Sequence, residues 1–128
     1  MRLGYIVIYV RDVAETIAFY ERAFGLVCRF LHESGQYAEM ETGATALAFA
    51  AEEFVRGNGL DFQPLHPAHP PVAVEIALVT DDVAAAVARA AEAGASVVKP
   101  PETKPWGQVV AYVRDLNGTL VELCTPVG

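Results

Sequence analysis

Two glutamates lie inside otherwise apolar segments of the sequence. Glu75 begins the stretch EIALV, and Glu122 lies in the middle of TLVELC. An ionised carboxylate is costly to bury unless it is paired, hydrogen-bonded or bound to a metal. If both side chains face one site, they could hold a divalent metal, act as acid and base, or share a proton with one pKa raised.

Solvent exposure is the alternative explanation of these two acids. Most glutamates are solvated, so one or both could lie at a strand edge and pair with Arg or Lys. Arg114 is a candidate partner because it is near in sequence to the turn before Glu122. In that case the acids only stabilise the fold, and the sequence leaves this alternative open.

Composition limits the classes of partner. The chain has 128 residues, of which 53% are hydrophobic, which predicts a single domain with a substantial core. Its formal charge is −7, and its nine Lys and Arg residues are scattered, which argues against nucleic acid or an anionic membrane as partner. No apolar run approaches the roughly 20 residues of a membrane span. We therefore expect a small-molecule ligand, no nucleic acid and no membrane.

The cysteines indicate the compartment. Cys28 and Cys124 are the only two, and neither belongs to a C-x-x-C spacing, which is typical of reduced thiols in a cytoplasmic protein. The apolar part of the amino-terminal stretch is too short for a signal peptide. We expect a cytoplasmic protein.

An internal repeat organises the chain. At an offset of 70, residues 5 to 25 align without gaps with residues 75 to 95, so that Tyr5 matches Glu75. Each copy begins as an apolar strand and continues into a helix that Asp12 or Asp82 can cap. In the first copy, Gly25 is placed for a left-handed helix C-cap.

Three short strands are predicted after each helix. Their expected ranges are 26 to 32, 36 to 41 and 45 to 50 in the first copy, and 95 to 99, 108 to 114 and 119 to 125 in the second. The fold class is therefore α+β, with tandem β-α-β-β-β modules in one domain. Module one covers 1–52 and module two 72–128, and the aperiodic stretch 53–71, with four prolines, is the linker.

Strand alternation assigns side chains to faces. Glu75 shares its face with Ala77 and Val79, and the repeat places Tyr5 and Tyr9 on the equivalent face of module one. The bulkier residues between them are expected to pack on the helices.

Several motifs along the chain resemble those of a known superfamily. They are AFY at 18 to 20 followed by FG at 24 to 25, DDV at 81 to 83, AGA at 93 to 95, PWGQ at 105 to 108, and the closing RDLNGTLVEL. With the tandem modules, they resemble the vicinal oxygen chelate superfamily, also called the glyoxalase/bleomycin resistance protein/dioxygenase family. The resemblance implies mixed sheets that curl around a cavity, and a homodimer.

The resemblance also implies four metal-ligand positions, two in each module. By position these are Tyr5, Ala48 or its neighbour Leu47, Glu75 and Glu122, of which only the two glutamates carry a carboxylate. Two carboxylates alone would hold a divalent metal weakly. The histidines, His32, His66 and His69, lie in turn-like or proline-broken stretches and are interpreted as solvated.

Two functions follow from the resemblance. One is a glyoxalase-type lyase or isomerase acting on a small oxygen-rich or carbonyl-containing molecule, with Glu122 as metal ligand or general base and Glu75 as its partner. The other is a metal-free protein that sequesters an antibiotic or metabolite, as bleomycin resistance proteins do. Its pocket would be lined by Tyr5, Tyr9, Ala48, Phe49 and Trp106. The sequence does not choose among an antibiotic, a glutathione adduct and a metabolic keto compound.

Overall fold

The computed structural model describes residues 1–128 and divides them into two compact units. Unit one comprises Met1–Glu21 and Gly25–Leu65, and unit two comprises Arg22–Phe24 and His66–Gly128. The elements in chain order are β1 Tyr5–Val10, α1 Val13–Phe24, β2 Cys28–Leu31, β3 Tyr37–Met40, β4 Ala46–Ala51, α2 Glu52–Gly57, β5 Glu75–Val79, α3 Val83–Glu92, β6 Ser96–Thr103, β7 Val109–Arg114 and β8 Leu120–Cys124. Two four-stranded mixed sheets and three helices confirm the predicted α+β class.

Sheet one has the strand order β1-β4-β3-β2, with β1 and β4 parallel and the other pairs antiparallel. One of its faces packs on α1, where the rings of Phe49 and Tyr20 lie 4.9 Å apart. The pairing register gives the opposite face, here called the tyrosine face, which comprises Tyr5, Val7, Tyr9, Tyr37, Glu39, Ala46, Ala48 and Ala50.

Sheet two repeats this arrangement with the order β5-β8-β7-β6. Helix α3 lies against β6, β7 and β8, and the alternate residues Ala111, Val113, Val121 and Leu123 are buried. The opposite face, here called the glutamate face, comprises Glu75, Ala77, Val79, Val110, Tyr112, Arg114, Leu120, Glu122 and Cys124.

Both predicted helix caps are present. The side chain of Asp12 accepts a hydrogen bond from the backbone N–H of Glu15 at 2.9 Å, and that of Asp82 from Ala85 at 3.0 Å. Gly25 ends α1 with φ of 69°, in the left-handed region that favours glycine. The cap signals in the sequence therefore located the start of both repeat helices.

Two stretches differ from the sequence prediction. Strand β6 continues through Pro100 and Pro101, which were expected in a loop, because β6 is an edge strand whose register shifts between Lys99 and Glu102. Helix α2 lies in the stretch expected to be an irregular linker. It has six residues and one buried side chain, Val55, too few for a helical period to be read.

None of the helices combines the length and the apolar character that crossing a membrane requires.

Candidate functional site

The two glutamates singled out in the sequence lie side by side on the glutamate face. In the parallel pairing of β5 with β8, Ala77 is opposite Glu122 and Glu75 is opposite Leu120, so the acids are diagonal neighbours. Their carboxyl groups are close enough for Glu122 to influence the protonation of Glu75. The outer strand β5 and its inner neighbour β8 thus bring both acids to one place.

This contact changes the protonation of Glu75. Partial loss of water around its carboxyl group raises the pKa of Glu75, and the negative charge and hydrogen bond of Glu122 raise it further. Glu75 therefore retains its proton to a higher pH than an isolated glutamate would. While Glu75 is protonated, its carboxyl group can donate a hydrogen bond and the neighbouring carboxyl group can accept one.

Tyr112 extends the pair across the next strand. Residue 112 is opposite Glu122 in the antiparallel pairing of β7 with β8, and its hydroxyl donates to Oε1 of Glu122 at 3.0 Å. Burial, with the adjacent Glu122, raises the pKa of Tyr112, which keeps the phenol protonated as a donor. The sequence analysis did not identify Tyr112, although its alternation with Val110 on a predicted strand was the available signal.

Cys124 is next to this group but is not suited to nucleophilic chemistry. The thiol is buried, and burial followed by the proximity of Glu122 raises the pKa of Cys124 to about 11. The thiolate is the reactive form, so Cys124 contributes an apolar, protonated wall to the glutamate face.

Arg114 does not pair with the acids, and the suggestion that it does is corrected. Its guanidinium group donates to the carbonyl oxygens of Gly118 at 2.9 Å, Pro67 at 3.0 Å and His69 at 2.6 Å. Through its bonds to Pro67 and His69, Arg114 holds the turn at residues 66–69. The Glu75 and Glu122 pair is thus left without this cation.

Trp106 is an exposed ring in a fixed orientation. Its indole N–H donates to Oε1 of Gln108 at 2.8 Å, and Nε2 of Gln108 donates to the carbonyl oxygen of Thr125 at 2.8 Å. Gln108 is 8% exposed, whereas Trp106 is 63% exposed. By alternation Gln108 shares the face of Val110, so the ring stands at one end of the glutamate face.

The corresponding positions of unit one lack acids. Val7 is opposite Ala48 as Ala77 is opposite Glu122, which makes Ala48 the counterpart of Glu122 and Tyr5 that of Glu75. No three or more His, Cys, Asp or Glu side chains come together to hold a metal ion. The residues present therefore do not fit a four-ligand metal centre, and we derive no step through a metal.

Unit one has a different acid on its tyrosine face, which the sequence analysis missed. Glu39 accepts from the Tyr37 hydroxyl at 2.8 Å and from Arg29 at 2.9 Å. These hydrogen bonds, that of Tyr37 first, lower the pKa of Glu39, while burial and Glu39 raise the pKa of Tyr37 to about 12. Glu39 is opposite Ala48 in sheet one, as Tyr112 is opposite Glu122 in sheet two. Glu39 is therefore the counterpart of Tyr112.

One predicted pocket residue is on the wrong face. Phe49 is fully buried against Tyr20 on the side of α1, because successive residues of β4 point to opposite faces. Tyr5, Tyr9 and Ala48 do share the tyrosine face, with Tyr5 53% exposed and Ala48 fully covered. The assignment of Phe49 to the ligand face is therefore corrected.

Comparison with protein families gives one match over nearly the whole chain. The family described as the Glyoxalase/Bleomycin resistance protein/Dioxygenase superfamily matches residues 2–123. A virulence protein of Salmonella typhimurium is 25% identical over 127 residues, which are 95% of this chain and 82% of that protein.

Solved structures agree on the fold. A glyoxalase-related enzyme from Fulvimarina pelagi superposes with a TM-score of 0.82 at 19% identity, covering 98% of this chain and 88% of that one. A glyoxalase/bleomycin resistance protein/dioxygenase family enzyme from Burkholderia phytofirmans has a TM-score of 0.75 at 21% identity, with 98% of both chains covered. At these identities the likeness concerns the fold alone.

Proposed function

Because the chain belongs to the glyoxalase/bleomycin resistance protein/dioxygenase superfamily, we propose that it binds a small oxygen-rich or carbonyl-containing molecule on the glutamate face. The observation that carries this proposal is the group of Glu75, Glu122 and Tyr112 on one sheet face, in which Tyr112 donates to Glu122 and Glu75 is its diagonal neighbour. A carboxyl pair with one proton offers a donor and an acceptor at once. An α-hydroxy carbonyl group presents the complementary acceptor and donor.

The binding mode follows from the roles of these groups. The protonated carboxyl of the pair donates to the carbonyl oxygen of the ligand, and the ionised one accepts from its hydroxyl. The Tyr112 hydroxyl donates to Oε1 of Glu122. The second oxygen of that carboxylate, Oε2, is therefore left for its remaining hydrogen-bond partners. Trp106, held by Gln108, supplies a flat apolar surface for the rest of the ligand. This mode requires no metal, as in a protein that sequesters an antibiotic or metabolite.

Calorimetric titration with two related probes tests the proposal. α-Hydroxyacetophenone carries the carbonyl, the hydroxyl and a ring, whereas acetophenone lacks the hydroxyl. We expect the wild type to bind the hydroxylated probe about tenfold more tightly, the value of one hydrogen bond to a charged group. Glu122→Gln should remove that preference, and Glu102→Gln, a change at an exposed acid of β6, should keep it. Equal affinity of the wild type for both probes would refute the proposal.

Proton transfer is a second candidate function, favoured by the raised pKa of Glu75. A carboxyl group kept protonated beside an ionised one is suited to general acid and base work. Glu122 would remove the proton α to a carbonyl while Glu75 gives its proton to the carbonyl oxygen, which yields an enediol. The activity would be that of a lyase or isomerase.

Hydrogen exchange tests this second candidate. In D₂O, the wild type should exchange the α-hydrogens of α-hydroxyacetophenone for deuterium faster than buffer does, as followed by proton NMR. Glu122→Gln should lose the acceleration. Exchange at the buffer rate in the wild type would leave ligand binding as the function and exclude proton abstraction from this probe.

A homodimer and a cytoplasmic location complete the proposal. Strand β1 is one of the two outer strands of sheet one, and Tyr5, Ile6 and Val7 expose apolar surface on both of its faces, as a strand covered by a second copy would. The free thiols of Cys28 and Cys124 suit a reducing compartment. Light scattering should give the mass of a dimer for the wild type and of a monomer for Ile6→Lys. A monomeric wild type would contradict the dimer.

A further inference from the structure

Part of the tyrosine face is covered by a side chain from outside the sheet. The ring of Phe62 meets the ring of Tyr9 edge to face, with centroids 5.0 Å apart and an interplanar angle of 61°. Tyr9 is opposite Ala50 on the tyrosine face. Phe62 thus occupies the position over Tyr9 that a ring of a bound molecule would take in the same geometry.

A cation also contacts the Phe62 ring. The guanidinium carbon of Arg56, in the last turn of α2, lies 4.3 Å from the centre of the Phe62 ring. This distance is within the range of a cation–π contact. The contacts of Phe62 with Arg56 and with Tyr9 together hold Phe62 on the sheet.

Side-chain contacts of Phe62, not a strand or helix, hold its segment in place. Residues 58–60 are tied to α2 by backbone hydrogen bonds, such as that from Gly59 N–H to the Arg56 carbonyl at 2.9 Å. The N–H of Phe62 donates only to the side chain of its neighbour Asp61. Residues 61–65 belong to no helix or strand, so Phe62 can leave Tyr9 without breaking any sheet or helix hydrogen bond.

We propose that Tyr9 is the base of a ligand subsite for a flat aromatic group, and that Phe62 is the lid that closes this subsite. The subsite lies in unit one and stands independently of the binding proposed for the glutamate face. Phe62 competes with the ligand, so the apparent affinity is reduced by the fraction of molecules in which Tyr9 is uncovered. For an aromatic pair of this geometry, that reduction is roughly two- to tenfold.

Fluorescence anisotropy of 2-naphthol measures the effect of the lid directly. Phe62→Ala should bind this probe several-fold more tightly than the wild type does, because the competing ring is gone. Phe54→Ala is the matched control, since Phe54 is an exposed phenylalanine of α2, and it should bind as the wild type does. Adding Tyr9→Leu to Phe62→Ala should abolish the gain.

Three results would overturn the proposal. Phe62→Ala could bind 2-naphthol no more tightly than the wild type, the gain could survive Tyr9→Leu, or Phe54→Ala could show the same gain. Arg56→Gln tests the lid with Phe62 still present. It should give a smaller gain in affinity than Phe62→Ala, because Phe62 loses only its cation–π contact. Weaker binding by Arg56→Gln would also contradict the lid. Thermal melts of each variant confirm that it is folded.

Discussion

At the scale of residues, two carboxylates in similar strands have opposite electrostatic surroundings. Glu39 is bonded by a phenol and a guanidinium group, which lower its pKa. Glu75 is partly desolvated beside another acid, which raises its pKa. The first arrangement fixes a charge, and the second favours the protonated form of Glu75. The site proposed for ligand binding is therefore the one with the retained proton.

Glu75→Gln should raise the stability of the protein at neutral pH. A raised pKa means that the folded state binds more protons than the unfolded state between the two pKa values, so the free energy of unfolding falls as pH rises there. Glutamine can still donate a hydrogen bond to Glu122 but does not ionise, so the variant does not lose stability as the pH rises. The gain should be below about 1 kcal/mol, because Glu75 is exposed and water screens the pair.

Urea unfolding at two pH values measures this effect. The advantage of Glu75→Gln should be present at pH 7 and should vanish below the ordinary glutamate pKa of about 4.3, where Glu75 is protonated in both states. Greater stability of the wild type at pH 7 would contradict the like-charge environment of Glu75.

Glu39→Gln should have the opposite effect. A lowered pKa stabilises the folded state above the ordinary glutamate pKa, and this contribution is lost as pH falls through the value in the folded protein. We expect a loss of about 1–2 kcal/mol at pH 7, since hydrogen bonds to a charged group are removed.

The neighbouring Glu41 provides the control for this change. It lies 3.9 Å from Arg29 and its side chain is 54% exposed, so Glu41→Gln should change the free energy of unfolding by less than about 0.5 kcal/mol. Equal losses in the two variants, or a loss at Glu39 that persists at low pH, would argue against the proposed role of its charge.

Some of these residues could be recognised in the sequence and some could not. Glu75 and Glu122 were conspicuous because apolar residues surround them. Glu39 lies in the short strand YAEM, where a glutamate is expected to be solvated, and its partner Arg29 comes from another strand. Phe49 was assigned to the pocket together with Ala48, although adjacent residues of a strand point to opposite faces.

At the scale of elements, the turn after β7 depends on a glycine. Gly118 has φ of 92°, and a Cβ atom there would lie 2.6 Å from Nη2 of Arg114 and 2.9 Å from the carbonyl oxygen of His66. The missing side chain is what allows Arg114 to reach the carbonyl groups of residues 66–69.

Gly118→Ala should therefore destabilise the protein more than Gly35→Ala does. Gly35 also has positive φ, at 73°, but a Cβ there would meet no atom within 4 Å, so its substitution costs only the conformational term of about 1–2 kcal/mol. The additional loss at Gly118 should come with faster amide exchange at His69, whose N–H bonds the His66 carbonyl. Thermal melts and hydrogen exchange measure the two effects, and equal losses would contradict the close packing at Gly118.

Elements with strong local signals could be predicted, and the others could not. The caps at Asp12 and Asp82 and the period of the apolar residues located both repeat helices. Strand β6 extends through two prolines because it is an edge strand with a shifted register, where prolines are tolerated. Both properties depend on the partner strand. The sequence located the partner strand β7 but not the register between β6 and β7.

At the scale of the whole molecule, the repeat preserved the fold of each unit and not the chemistry of its face. Both units pair their first and last strands in parallel with the same register. One face has phenols and a charge-paired Glu39, and the other has the adjacent acids Glu75 and Glu122. The repeat therefore predicted where the faces are, whereas their chemistry depends on single residues such as Ala48 and Glu122.

The most direct test of the central claim is carbon-13 NMR of the glutamate carboxyl groups during addition of α-hydroxyacetophenone. Our account predicts that the Glu75 and Glu122 carboxyl signals shift with the probe and saturate together, while the Glu39 signal stays unchanged. Shifts at Glu39 without shifts at Glu75 and Glu122, or no shift at any of the three, would contradict ligand binding on the glutamate face.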